Sequence, residues 1–123
     1  MIATAGALLA GGTAGVLTRF LVSLAVFGAF GGWLPWGTLA VNLSGCLLIG
    51  FIDAAATKRG FGGPHGRMLL MTGFCGAYTT FSSLILELDA LLRAAPLRGA
   101  GYVLLSVAAG LALFRAGAAL GGR

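Results

Sequence analysis

Apolar residues fill four long stretches of this chain, and polar residues gather in the short intervals between them. A helix crosses the hydrocarbon core of a bilayer in about 20 residues. The pattern therefore predicts four membrane-spanning helices, over residues 3–28, 35–56, 67–92 and 99–120. A break at Phe30-Gly-Gly-Trp-Leu-Pro-Trp36 separates the first two, and Trp33 and Trp36 suit the aromatic belt at the membrane surface. A polar loop from Thr57 to Gly66 leads into the third span. A short link from Arg93 to Arg98, containing Pro96, leads into the fourth. The spans use nearly the whole chain, so one transmembrane domain over residues 1–123 is expected.

The third span departs from this simple pattern. Met68 to Leu86 carries no charge, yet residues 73–83 hold two glycines and the hydroxyls of Thr79, Thr80, Ser82 and Ser83. A lipid-facing helix has no use for such a segment. In hydrocarbon every backbone group needs a partner, so loosened helix is tolerated only against protein or a water-filled cavity. Interrupted helices of this kind hold ions and substrates in channels and transporters. A break in the third helix is expected near 76–80, with function at membrane depth and a small ion as the first candidate.

Composition agrees. The chain is 59% hydrophobic and 9% charged, with a mean hydropathy of +1.00. A soluble domain carries roughly 25% charged residues. The net charge of +5 is scattered toward span ends, which excludes a basic face for nucleic acid. Four crossings put Lys58, Arg59, Arg67 and Arg123 on one side, against Arg93 and Arg98 on the other. Basic-residue bias sets orientation, and so small a bias is compatible with insertion both ways. No basic residue precedes the first apolar run, so a retained helix is expected there rather than a cleaved signal. Cys46 and Cys75 read as small buried hydrophobes. The single His65 sits in a loop, so neither a metal cluster nor a catalytic triad is in view, and no enzyme is expected.

Some residues carry polar chemistry inside the spans. Asn42 shares a face with Thr38, Gly45 and Cys46, and serves either as a hydrogen bond between helices or as an amide donor to an anion. Tyr102 and Ser106 share a face of the fourth helix. The hydroxyls of residues 79–83 donate or accept. Phe81 has a positive ring edge that attracts a small anion. Arg19 lies within an apolar segment, where arginine is a functional candidate unless it snorkels. Asp53, Glu87 and Asp89 lie toward span ends, where interfacial water would solvate them. Gly11, Gly12 and Gly15 form a small-xxx-small pattern, and Gly45 and Gly50 lighten the second helix for close packing.

Three motifs then stand together: Gly11-Gly-Thr-Ala-Gly-Val-Leu-Thr-Arg19-Phe20, Gly37-Thr-Leu-Ala-Val-Asn42-Leu-Ser-Gly45, and Gly73-Phe-Cys-Gly-Ala-Tyr-Thr-Thr-Phe-Ser82. In this order they resemble the Fluc (CrcB) fluoride channels over essentially the full chain. The resemblance implies an all-α integral membrane fold of four helices, paired with an antiparallel copy as a dual-topology homodimer. It implies two fluoride pores at the dimer interface and passive efflux across a bacterial cytoplasmic (inner) membrane. It places a pore amide on Asn42, a pore phenylalanine on Phe81, and a polar track on Tyr102, Ser106 and Ser82 or Ser83. It places Arg19 and Glu87 near the pore entrance. It implies a structural sodium ion at the dimer interface, held by the backbone carbonyls of Gly76 and Thr79. One departure is clear. Where the family commonly has a second pore phenylalanine this chain has Leu84, three residues after Phe81 and so expected on the same face.

Two other classes remain in view. A small four-helix multidrug exporter needs an intramembrane acid for proton coupling, and the first helix offers none. A non-conducting subunit of a larger assembly needs no polar interruption, so residues 73–83 argue against it.

Overall fold

The computed structural model describes residues 1–60 and 62–123, and the elements it forms are helices. Residue 61, within the expected 57–66 loop, lies outside the described residues. Helix α1 is Ile2–Phe30 and α2 is Trp36–Arg59. The third span is composite: a short α3 over Gly63–Arg67, a π-helical segment over Met68–Cys75, one turn α4 over Gly76–Tyr78, and α5 over Phe81–Ala94. Helix α6 is Pro96–Gly121. Four helical stretches, Ile2–Phe30, Trp36–Arg59, Gly63–Ala94 and Pro96–Gly121, are long and apolar enough to cross a membrane.

The helix ends follow local chemistry. Helix α2 runs past the expected residue 56 to Arg59, where Gly60 takes a left-handed φ of 65° and its N–H closes onto Ala56 O at 3.1 Å. Lys58 and Arg59 in that last turn suit the negative end of the helix dipole. Lys58 also donates to the Gly122 carbonyl, which covers the end of α6. The expected link 93–98 shrinks to Ala95 alone between α5 and α6. Proline lacks the N–H that a first-turn residue does not need, so Pro96 opens α6 rather than lying in a loop.

Packing turns on small residues. Helix α2 lies along α6, and α1 lies against the π-helical segment. A Cβ added at Gly11 would collide with Leu69 O, and one at Gly15 with Phe74 O, so these backbones meet without side chains between them. Gly12 faces open space and has no such role. A core of Leu39, Leu84 and Tyr102 joins α2, α5 and α6, with Leu88 and Leu91 packed against it.

Candidate functional site

Between α4 and α5 the chain is extended: Thr79 has φ −86° and ψ 159°, and Thr80 has φ −149° and ψ 115°. A helix end leaves four carbonyls, and a helix start four N–H groups, without ladder partners. Asn42 answers part of that need from across the bundle. Its Oδ1 accepts the Thr80 N–H at 2.8 Å, and its Nδ2 donates to Thr80 O at 3.0 Å. Thr80 caps α5 in turn, its Oγ1 accepting the Ser83 N–H at 3.2 Å and donating to Ser83 Oγ at 3.0 Å. The Ser82 hydroxyl lies 3.4 Å from the same Thr80 oxygen. Thr79 Oγ1 turns back to Cys75 O at 2.9 Å.

Two polar clusters flank this point. On one side the buried Tyr78 stacks on Phe74 at 5.6 Å, and its hydroxyl meets Ser44 Oγ at 2.8 Å. Gly45 makes room there, since a Cβ on it would run into Thr79 Cγ2. On the other side Glu87 accepts from Thr38 Oγ1 at 2.8 Å and from the Tyr102 hydroxyl at 3.4 Å. Glu87 is therefore tied into the protein and not merely solvated at an interface. Asp53 and Asp89 do lie exposed, paired with Arg67 at 2.8 Å and with Arg93 at 2.9 Å.

The structure brings some candidates together and separates others. Asn42, Gly76, Thr79, Thr80 and Phe81 line one open cavity of about 260 Å³, which Cys46 and Cys75 also border. Phe81 is 76% exposed. Leu84 does not line that cavity: it is 8% exposed and sits in the core against Leu39 and Tyr102. A spacing of three does not give the two residues the same environment, because the apolar stripe of α5 through Leu84, Leu88 and Leu91 turns inward. Tyr102 is 2% exposed, and Ser106 Oγ donates to its carbonyl at 2.8 Å. Arg19, half-buried on α1, has no carboxylate within ion-pair distance among the described residues. Thr38 and Ser44 were not singled out as candidates from sequence. The signal for Thr38 was its place one turn before Asn42 on the same face.

The Gly76 and Thr79 carbonyls suit a hard cation. Thr80 N–H, which would close the ladder onto Gly76 O, goes to Asn42 instead. Neither Gly76 O nor Thr79 O has a backbone hydrogen bond among the described residues. Oxygen-only donors of this kind match hard cations.

A polytopic helical membrane protein, with a cavity bordered by Asn42 where one span gives way to extended chain, is the class these features define. The chain belongs to the CrcB family, described as CrcB-like protein, Camphor Resistance (CrcB), which it matches over residues 6–118. It is 46% identical over 113 residues to a fluoride-specific ion channel FluC of Chlorobaculum tepidum, covering 90% of this chain and 88% of that one. It is 41% identical over 111 residues to one of Hahella chejuensis, covering 89% and 87%. A match to one of Chlorobium phaeobacteroides reaches 52% identity over 84 residues, covering 68% of this chain and 65% of the relative.

Proposed function

We propose that this chain is a fluoride-selective channel that lets the ion leak passively out of the cytoplasm. It works as an antiparallel homodimer of dual topology in a bacterial inner membrane, with two pores along the subunit interface. The observation that carries the reading is the interruption at Thr79–Thr80, fixed by Asn42 and open to a cavity beside an exposed phenylalanine.

At that point a helix C-terminus meets a helix N-terminus. The carbonyl end of α4 carries partial negative charge and the N–H end of α5 partial positive charge. A cation position therefore lies beside an anion position. Fluoride is small and strongly hydrated, so the pore replaces its water with fixed donors. One Nδ2 hydrogen of Asn42 is used by Thr80 O, and the second is left for the ion. The first N–H groups of α5 and the Ser82 and Ser83 hydroxyls add donors. Phe81 offers a positive ring edge and no full charge that would trap the ion. Tyr102 and Ser106 serve the anion only by turning from Glu87 and from the Tyr102 carbonyl. Arg19 raises anion concentration near an entrance. Sodium at the Gly76 and Thr79 carbonyls of two subunits would supply fixed positive charge beside the path. A second copy of the chain would cover Phe81 and other exposed apolar side chains such as Leu86 and Leu104.

Liposomes loaded with potassium fluoride, with valinomycin added to carry the compensating potassium, test the function. Purified protein is expected to release fluoride and to retain chloride in a matched chloride-loaded set. Retention of both anions would overturn the channel reading.

A further inference from the structure

A second cavity, of about 530 Å³, opens where α1, the 31–35 turn and the start of α2 meet α5. Its volume falls in the range of small-molecule sites, roughly 300–1,000 Å³. Phe20 and Phe27 of α1 and Trp36 of α2 form much of its wall. Phe20 and Phe27 are 64% and 61% exposed, so their rings are available to a guest. Among the described residues that line it, Glu87 alone carries a charge. Two hydroxyls donate to that carboxylate, Thr38 to Oε1 and Tyr102 to Oε2. A carboxylate offers about four acceptor sites, so further donors or a cation can still approach it. Arg19 does not line the cavity, and no other cation there competes for Glu87.

We infer that this cavity binds a small lipophilic ammonium ion, with its apolar part among Phe20, Phe27 and Trp36 and its charged head toward Glu87. Aromatic faces attract ammonium groups through their ring quadrupoles. The carboxylate supplies the opposite charge. The two cavities share no lining residue, and only this one is bordered by Glu87. The inference does not depend on fluoride conduction.

The experiment reads Trp36 fluorescence in the Trp33→Phe variant, since Trp33 and Trp36 are the two tryptophans of the chain. The full-length protein is titrated in detergent with benzyltrimethylammonium and with its neutral carbon isostere, neopentylbenzene. The ammonium is expected to give a saturable change at lower concentration than the isostere. Glu87→Gln keeps an acceptor for Thr38 and should weaken ammonium binding roughly tenfold or more while leaving the isostere unchanged. Phe27→Leu, at an exposed position, should weaken the ammonium more than the isostere. If Glu87→Gln does not fold, Phe27→Leu carries the test alone. No saturable change, equal binding of cation and isostere, or variants indifferent to charge would overturn the inference. Those results would mean the cavity is filled by lipid tails or by a second subunit.

Discussion

Asn42 uses both ends of its amide on a single residue, Thr80, and that choice joins stability to conduction. Asn42→Asp keeps the acceptor for Thr80 N–H but loses the donor to Thr80 O. Two oxygens then face each other with no hydrogen between them, at a cost of about 1–3 kcal/mol, and the new carboxylate repels an anion. The variant is expected to unfold earlier in a thermal melt and to release fluoride from liposomes no faster than protein-free vesicles. Wild-type flux would remove Asn42 from the path. Phe81 and Leu84 separate function from packing. Phe81 is exposed on the single chain, so Phe81→Ile should keep the helical content of each subunit while sharply reducing flux. Leu84 is packed against Leu39 and Tyr102, so Leu84→Phe should overpack that core and cost about 1–3 kcal/mol. A melt that is unchanged in Leu84→Phe would mean the site has room for a ring.

At the scale of the element, glycine decides how closely α1 approaches the third span. Gly15→Ala puts a methyl group into the Phe74 carbonyl, a backbone atom that cannot turn aside. The helices must part, at a cost of about 1–3 kcal/mol. Gly12→Ala points into open space and should stabilise by up to about 1 kcal/mol through helix propensity. Denaturation of the two variants side by side checks the contrast, and equal behaviour would contradict the packing described. Sequence shows this tier unevenly. The four spans are legible because apolar length is a local property, and the glycine pattern marks α1 as a packing helix. The π-helical register of Met68–Cys75 is not legible, because the same residues suit either helical pitch. The burial of Leu84 is hidden because it is set by packing against Leu39 and Tyr102, which lie far away in sequence. Glu87 reads as a surface acid because its partner Thr38 lies 49 residues away in sequence.

For the whole molecule, the charges at span ends bear on how it inserts. Lys58, Arg59, Arg67 and Arg123 on one side stand against Arg93 and Arg98 on the other, a small excess. The bias toward one orientation is correspondingly weak. An Arg59→Cys variant, labelled with a membrane-impermeant maleimide against the parent protein, should react from both faces of the membrane. Reaction from one face alone would contradict dual topology and the antiparallel pairing that depends on it. The account as a whole rests on discrimination between two anions by fixed neutral donors at the Thr79–Thr80 interruption. Parallel efflux of fluoride and chloride from liposomes containing the purified protein, with valinomycin carrying potassium to balance charge, measures that discrimination directly. The account predicts rapid fluoride release with chloride held inside and no need for a proton gradient. Release of both anions at equal rates, or of neither, would contradict it.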